Sequence, residues 1–252
     1  MDLGLNGKRA VVTGGTRGIG RAIVQLLLAE GAQVATCART PAGVERLLIE
    51  AGPGLTAEAL DVRDAAAFTG WFERARETLG GVDIAISNVS TRVTSTGEDG
   101  WRESFEADLL QHVRFGELVM PHLREGREPS LVFLSSIAAV LKRLPPGEEA
   151  YGPMKAALIN YSGQLAERNG AAGVRVNTVS PGPIFFPGGV WDHIRERVPA
   201  LFQSAAALAA LGRHGTPEEV ANLVVFLASP AAGFITGADL RVDGGAVKTA
   251  NF

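Results

Sequence analysis

Short apolar stretches alternate with longer amphipathic stretches along most of the chain. The short stretches carry apolar residues at successive positions, which is typical of strands covered on both faces. They predict strands at 10–12, 34–36, 55–60, 82–86, 131–134, 174–179 and 239–242. The longer stretches repeat apolar residues every three or four positions. They predict helices at 19–30, 44–51, 65–79, 101–123, 151–172 and 217–228. The last helix has a clear start, since Thr216, Pro217 and Glu219 fit a cap, a first helical position and a capping box.

Regular alternation of strands and helices predicts an α/β protein, with a doubly wound parallel sheet and helices on both faces. No linker, repeat or low-complexity segment divides the sequence, so we expect a single domain over residues 1–252. Segment 183–213 interrupts the alternation and is rich in Pro, Gly, Ala and aromatic residues. Because it follows a predicted strand, where open α/β sheets carry loops that cover ligands, we expect it to be an inserted lid.

Composition and charge narrow the functional classes. The chain has 252 residues, of which 46% are hydrophobic and 20% charged, and its net charge of −3 gives no general attraction to nucleic acid or anionic membranes. One cysteine, Cys37, excludes an internal disulfide framework and suits a reducing compartment. We find neither a secretory signal nor an apolar run of the ~20 residues that a membrane span needs, so we expect a cytoplasmic protein. His112, His122 and His214 have no carboxylates at metal-ligand spacing, so we expect no metal site.

A glycine-rich turn follows the first predicted strand. Residues 13–20 are Thr-Gly-Gly-Thr-Arg-Gly-Ile-Gly, and they open the first predicted helix. Glycines let the backbone turn sharply and approach a pyrophosphate, while the start of the helix supplies N–H groups. A tight turn without a ligand is the alternative, but the position in the first strand–turn–helix unit favours a dinucleotide site.

Further motifs follow this turn in a fixed order. They are Asp61-Val62, Asn88, Ser135-Ser136, Tyr151-x-x-x-Lys155, Asn177-x-x-x-Pro181-Gly182, Leu211-Gly212-Arg213, Thr236-Gly237 and Val242-Asp243-Gly244-Gly245. With the spacing Gly14-x-x-x-Gly18-x-Gly20, they make the sequence resemble the short-chain dehydrogenase/reductase family from about residue 5 to residue 247. The resemblance implies a Rossmann-type fold and an NAD(P)(H)-dependent oxidoreductase that interconverts a carbonyl and a secondary alcohol. It also implies a homotetramer or homodimer, with the helices 101–123 and 151–172 at the usual interface.

The resemblance also assigns cofactor contacts. It implies that Asp61 and Val62 hold the adenine and that Asn88 lies beside the adenosine ribose. NAD-using members usually have an acidic residue near Ala38, and this sequence has none there. Arg17 and Arg39 can instead form charge-assisted hydrogen bonds with a 2′-phosphate. We therefore expect NADP(H), with NAD(H) as the alternative in which Arg39 only faces solvent. The expected cofactor-binding set is Gly14, Thr16, Arg17, Gly18, Ile19, Gly20, Arg39, Asp61, Val62, Asn88, Tyr151, Lys155, Pro181, Gly182 and Ile184.

Tyr151 and Lys155 stand one turn apart on one face of a predicted helix. An ammonium group and an oxidised nicotinamide both stabilise a phenolate, so we expect the pKa of Tyr151 to fall from ~10 toward working pH. Tyr151 would then act as general acid and base, while Lys155 also bonds the nicotinamide ribose. Ser136, after the strand 131–134, is expected to donate to the substrate oxygen, with Ser135 as the alternative.

Three positions depart from the family pattern. Ser90 stands where a glycine is common, and it could alter the backbone or crowd the cofactor. Asp108 stands where many members have an Asn that completes a proton relay; it could pair with Lys155, or be a solvated helix residue. Phe186 stands at about the position where the family often has a Thr that bonds the carboxamide of the nicotinamide, although the backbone of Ile184 remains available. The expected catalytic set is Ser136, Tyr151, Lys155 and Asp108.

The apolar lid suggests the kind of substrate. We expect the substrate to be a hydrophobic or aromatic ketone or secondary alcohol. Its expected contacts are Ser136, Tyr151, Phe185, Phe186 and Trp191. Packing of the lid against the core or another subunit is the alternative. Two other functions stay open: a 3-oxoacyl-thioester reductase, which residues 212–213 and 243–245 resemble, and a cofactor-binding regulatory or scaffold protein without turnover.

Overall fold

The computed structural model describes residues 2–91, 95–145 and 147–248. In this part of the chain, seven strands form one sheet in the order β3-β2-β1-β4-β5-β6-β7, and every neighbouring pair is parallel. The α/β doubly wound parallel sheet predicted from the sequence is therefore confirmed. The strands are β1 (Arg9–Thr13), β2 (Gln33–Ala38), β3 (Leu55–Ala59), β4 (Ile84–Ser87), β5 (Ser130–Leu134), β6 (Arg175–Pro181) and β7 (Asp239–Val242).

Helices cover both faces of the sheet. On one face, Ile23 and Val224 belong to a core cluster that includes Val12 of β1, while Phe68, Phe115 and the neighbouring Val11 belong to the cluster on the other face. Among the described residues, none of the helices is both long and apolar enough to cross a membrane. The helices are α1 (Gly18–Ala29), α2 (Pro41–Ala51), α3 (Ala65–Leu79), α4 (Gly97–Phe105), α5 (Gln111–Leu123), α6 (Tyr151–Asn169), α7 (Val190–Arg197), α8 (Pro199–Leu208) and α9 (Pro217–Ala228).

The strand order places a crevice beside β1. The chain runs from β1 to β2 and β3 on one side and then continues with β4 on the other side of β1. The turns that follow β1 and β4 therefore lead in opposite directions and leave a crevice at the carboxyl edge of the sheet, where open α/β sheets bind ligands.

Apart from shifts of a few residues at the ends of other elements, two stretches differ from the sequence-based prediction. The helix predicted over 101–123 is divided by a π-helical turn, Glu106–Leu110, which lies between α4 and α5. A π turn forms i→i+5 hydrogen bonds, so a prediction based on the 3.6-residue period cannot locate it. The lid predicted over 183–213 contains two helices, α7 and α8, rather than an irregular loop.

An ion-pair cluster closes the amino end of the sheet, opposite the crevice. The buried carboxylate of Asp83 accepts hydrogen bonds from Nη2 of Arg9 at 2.7 Å and from the backbone N–H of Arg127 at 2.7 Å. Burial by itself would raise the pKa of Asp83, but these donors outweigh burial and hold the pKa well below its ordinary value. The cluster thus joins the start of β1, the start of β4 and the segment before β5.

Candidate active site

A continuous cleft of about 1340 Å³ runs along the carboxyl edge of the sheet, from the turn after β1 to α8. Most of the predicted site residues line it. They are Gly14, Thr16, Arg17, Ile19, Gly20, Arg39, Asp61, Val62, Asn88, Ser136, Tyr151, Pro181, Gly182, Ile184, Phe186 and Trp191. Four others, namely Gly18, Lys155, Asp108 and Phe185, are absent from the lining.

The turn between β1 and α1 has the geometry of a pyrophosphate cradle. Gly14 has a φ of +77°, and a Cβ there would stand 2.9 Å from Nδ2 of Asn88; a Cβ at Gly20 would overlap the Gly14 carbonyl. Nδ2 of Asn88 donates to the carbonyl oxygens of Thr13 and Gly14, at 3.0 and 3.3 Å, and so fixes the turn against the end of β4. Arg17 gives the helix no side-chain cap, which leaves N–H groups of its first turn for an anion. These residues fit a dinucleotide.

The end of the cleft beside β2 is positively charged. Ala38, Arg39 and Thr40 line it, so no carboxylate follows β2 at this point. Asp61 does line the cleft, but Arg63 binds both of its carboxylate oxygens, and this pairing lowers the pKa of Asp61. In the described part of the chain, neither Arg17 nor Arg39 makes an ion pair, so both guanidinium groups are available to a phosphate.

Two serines directly follow β5 and have different partners. Oγ of Ser135 donates to the carbonyl oxygen of Lys155 at 3.0 Å and is buried. Oγ of Ser136 accepts a hydrogen bond of 3.1 Å from the N–H of Ala138, so its own hydrogen remains to be donated into the cleft. Tyr151, the first residue of α6, lines the same part of the cleft.

Lys155 lies beneath the cleft rather than in it. The residue is fully buried, and its Nζ donates to the carbonyl oxygen of Leu134 at 3.2 Å and lies 3.3 Å from Nε2 of His112. Nζ is 5.7 Å from the centroid of the Tyr151 ring. Lys155 does not line the cleft in this conformation, and its contact with the nicotinamide ribose stays a prediction. Burial lowers the pKa of Lys155 to about 8, against an opposing effect of the Asp108 charge.

Asp108 is fully buried in the π-helical turn, so the alternative that it is a solvated helix residue is wrong. Its Oδ1 accepts hydrogen bonds from Oγ of Ser90 at 2.6 Å and from the N–H of Thr91 at 3.3 Å, and its Oδ2 accepts from Oγ of Ser104 at 3.3 Å. The ion pair between Asp108 and Lys155 that the sequence suggested does not form. Ser90 has no positive φ, so the loss of glycine at this position does not strain the backbone.

Two neighbouring phenylalanines of the lid, Phe185 and Phe186, have different surroundings. Phe186 lines the cleft, and its ring covers Gly18, where a Cβ would stand 2.5 Å from the ring; Gly18 is therefore covered by the lid. Phe185 instead packs inside the lid against Phe202, with ring centroids 5.7 Å apart. This position corrects the expectation that Phe185 contacts substrate. Trp191 lines the cleft, and its contact with substrate stays a prediction.

Some residues of the site were not predicted from the sequence. His112 was considered only as a metal ligand, yet it contacts Lys155. Lys142 and Arg143 line the cleft beyond Ser136, and Leu141, Leu144, Leu201 and Leu208 give its substrate end an apolar wall. No group of three His, Cys, Asp or Glu side chains that could hold a metal ion occurs in the described ranges. His112 follows Asp108, the predicted relay residue, by four positions, so both were expected on one face of the predicted helix. That spacing could have indicated that His112 belongs to the site.

Comparison with known proteins agrees with this geometry. A family model described as enoyl-(acyl carrier protein) reductase matches residues 14–247. The chain is 36% identical over 252 residues to isoepoxydon dehydrogenase of Penicillium expansum, an alignment that covers 97% of this chain and 96% of that protein. It is 38% identical over 251 residues to the protein of the same name from Aspergillus clavatus, covering 96% and 95%. It is 33% identical over 249 residues to 3-oxoacyl-[acyl-carrier-protein] reductase of Escherichia coli, covering 96% and 98%.

A glycine-rich turn, a serine and a tyrosine that share one cleft, and relatives aligned over nearly the whole chain define one class of protein. The chain belongs to the short-chain dehydrogenase/reductase family. It is an NAD(P)-dependent oxidoreductase that acts on a carbonyl/alcohol pair, and its named relatives are all enzymes. The resemblance noted in the sequence is thereby confirmed, and a scaffold without turnover is not supported.

Proposed function

We propose that the chain interconverts an apolar ketone and its secondary alcohol with NADP(H), and that Tyr151 is the general acid and base. One observation carries this proposal: the glycine turn, Ser136 and Tyr151 line the same cleft, which continues into an apolar wall. The pyrophosphate end and the substrate end are thus parts of one space, with the proton donor between them.

The chain's own groups handle the oxygen and its proton. A bound nicotinamide supplies the hydride for reduction and accepts it in oxidation. Ser136 donates a hydrogen bond to the carbonyl oxygen, where negative charge develops. Tyr151 gives its phenolic proton to the same oxygen in reduction and takes it back in oxidation. The buried ammonium of Lys155, close under the ring, stabilises the phenolate that remains.

The preference for NADP(H) follows from the groups at the adenosine end. Ala38 offers no carboxylate for a ribose hydroxyl, whereas Arg17 and Arg39 offer two guanidinium groups. A guanidinium binds a phosphate through charge-assisted hydrogen bonds. We expect Arg39→Ala to lower kcat/KM for NADPH about tenfold while leaving that for NADH nearly unchanged. An equal loss with both cofactors would contradict this assignment.

The substrate end favours an apolar compound. Trp191, Leu201 and Leu208 of the lid face it, together with Leu141 and Leu144 from the segment after β5. The names of the relatives suggest isoepoxydon and a 3-oxoacyl thioester as probes. The exposed cations Lys142 and Arg143, which line the cleft beyond Ser136, favour the thioester as the second candidate, since acyl carriers bring negative charge.

The decisive assay measures oxidation of isoepoxydon and reduction of acetoacetyl-CoA with each cofactor, in the parent and in two matched variants. Tyr151→Phe removes the proposed proton donor and should lower kcat by about 100-fold or more. Tyr161→Phe removes the chain's other tyrosine, whose hydroxyl donates a hydrogen bond of 3.1 Å to Glu117 and does not line the cleft. This variant should leave kcat within about twofold. An active parent whose activity survives Tyr151→Phe rules out the proposed mechanism.

We also propose that the chain forms a homodimer or homotetramer through α4, α5 and α6, as the family resemblance suggests. Trp101 and Phe105 of α4 expose large apolar surface, with 44% and 42% of their area accessible. Such surface is often covered by another subunit. Light scattering coupled to size-exclusion chromatography measures the mass directly, and a mass of 26.4 kDa would exclude assembly.

A further inference from the structure

Three buried polar side chains form a chain of contacts beneath the cleft. His112 is the second residue of α5, directly after the π-helical turn, and has no accessible surface. Its Nδ1 lies 2.7 Å from Oγ of Ser87, the last residue of β4, and its Nε2 lies 3.3 Å from Nζ of Lys155. The imidazole therefore bridges the end of β4 and the proposed active-site lysine.

The chemistry of these partners determines the direction of each hydrogen bond. An ammonium group has three donors and no lone pair, so Nε2 of His112 must be the acceptor in its contact with Lys155. A neutral imidazole with an accepting Nε2 carries its hydrogen on Nδ1, and this N–H then donates to Oγ of Ser87. Both partners are satisfied only when His112 is neutral.

The surroundings keep His112 in that neutral form. Burial lowers the pKa of His112 well below its ordinary value, and the charge of Lys155 lowers it further, against a smaller opposite effect of the Val89 carbonyl. The charged and titratable groups that face Lys155 in the described chain are Asp108 from the π-helical turn, His112 from α5 and Tyr151 from its own helix. Of these, His112 is a hydrogen-bond partner of the ammonium group, with the Leu134 carbonyl as the other.

We propose that His112 is a positioning residue for the reaction: as a neutral acceptor it holds the Lys155 ammonium, charged and in place, under the ring of Tyr151. This inference rests on the proposed roles of Tyr151 and Lys155 and adds a residue that acts through them. Without the imidazole, the ammonium loses one of its two hydrogen-bond acceptors in the described part of the chain, in a fully buried site, and its charged form becomes less stable. The phenolate of Tyr151 then loses the stabilising charge.

Tyrosine absorbance gives a readout that needs no substrate. The chain has two tyrosines, Tyr151 and Tyr161. Burial raises the pKa of Tyr161, and the negative charge of Glu117 raises this pKa further. Tyr161 therefore stays protonated where an ordinary tyrosine, with a pKa of ~10, ionises. A pH titration of the ultraviolet phenolate signal thus follows Tyr151, and its disappearance in Tyr151→Phe verifies the assignment.

The experiment compares four forms of the full chain in this titration. We expect His112→Leu to move the phenolate midpoint upward by about one pH unit relative to the parent, a tenfold change in the ionisation equilibrium. His112→Asn, which keeps an acceptor oxygen, should recover part of the shift. Asn169→Leu, a polar-to-leucine change at an equally buried site far along α6, controls for lost stability and should leave the midpoint unchanged.

An unchanged or lower midpoint in His112→Leu, or the same shift in Asn169→Leu, overturns the inference. If His112→Leu does not fold, His112→Phe, which also lacks an acceptor, is compared with the parent by the same criterion, and ¹⁵N NMR of the parent's histidines tests the tautomer. A protonated Nε2 on His112 also overturns the inference. Failure of the proposed function looks different, since turnover would then survive Tyr151→Phe whatever the titration shows.

Discussion

Ser90 donates a hydrogen bond of 2.6 Å to the buried carboxylate of Asp108, so two departures from the family pattern are in direct contact. A buried carboxylate needs donors, and Asp108 obtains them from Ser90, Ser104 and the N–H of Thr91. A glycine at position 90 could not supply this hydroxyl. Ser90 therefore satisfies part of the hydrogen-bonding need of the Asp108 carboxylate.

This contact predicts strong coupling between the two positions. Ser90→Gly alone removes a donor from a buried charge and should cost about 1–3 kcal/mol of unfolding free energy. Asp108→Asn alone leaves the hydroxyl with a weaker acceptor. The double variant restores the pair that the family commonly has, and it should be less destabilised than the sum of the single variants by about 0.5–3 kcal/mol. Urea unfolding of all four proteins gives this coupling energy; additive losses would show that the two changes are independent.

Lys155 should limit the alkaline side of the activity profile. Burial lowers the pKa of Lys155 to about 8, so its charge is present below that pH and is lost as the pH rises through about 8. Alcohol oxidation, which depends on the phenolate that this charge stabilises, should decline over the same range. In Lys155→Arg the guanidinium stays charged throughout this pH range, so the decline should disappear even though the rate is lower. A pH profile of kcat with NADP⁺ tests this, and an identical decline in the Arg variant would assign the limb to another group.

The Asp83 cluster should make the fold sensitive to acid. The pKa of Asp83 is depressed in the folded chain, so its stabilising effect is complete above the unfolded pKa of ~3.9 and is lost as the pH falls below that value. Asp83→Asn should destabilise the protein by roughly 3–5 kcal/mol at neutral pH and by less in acid, because the parent loses the same interaction there. Glu58→Gln breaks the exposed ion pair with Arg74 and should leave the free energy of unfolding nearly unchanged. Chemical unfolding at several pH values measures both.

Gly18 should be irreplaceable for two separable reasons. Its φ of +51° disfavours a side chain, and the ring of Phe186 occupies the space that a Cβ would need. Gly18→Ala should therefore weaken NADPH binding and lower the melting temperature. Adding Phe186→Ala should relieve the steric part but leave the backbone strain of about 1–2 kcal/mol. If NADPH binding and melting temperature recover completely in the double variant, only the ring of Phe186 matters. If neither recovers, only the backbone conformation of Gly18 matters.

The sequence predicted the sheet and several helix limits well because local signals mark them. α3 begins after Asp64, whose side chain caps it, and α9 begins at the capping box of Thr216 and Glu219; both helices have the bounds that were predicted. The motif residues that line the cleft follow the strand ends. In a parallel sheet these ends meet at one edge, so spacing along the chain is enough to bring them together.

Other features depend on contacts that a single sequence does not display. Apolar character alone could not tell which of Phe185 and Phe186 faces the cleft, because neighbouring residues point in different directions. The π-helical turn breaks the helical period on which the prediction relied, and it carries Asp108 into the interior. The burial of Lys155 and its contact with His112 arise where β5, α5 and α6 meet, and no short motif encodes that meeting.

The ring of Phe186 on Gly18 has a consequence for protein engineering. Substrate range in such an enzyme is an obvious target for grafting segment 183–213 from one relative onto another. Here the donor segment would also have to match the glycine-rich turn after β1, because the ring of Phe186 packs against Gly18 of that turn. A graft that lacks an aromatic residue at position 186 would change cofactor affinity along with substrate choice, so the two properties cannot be exchanged as separate modules.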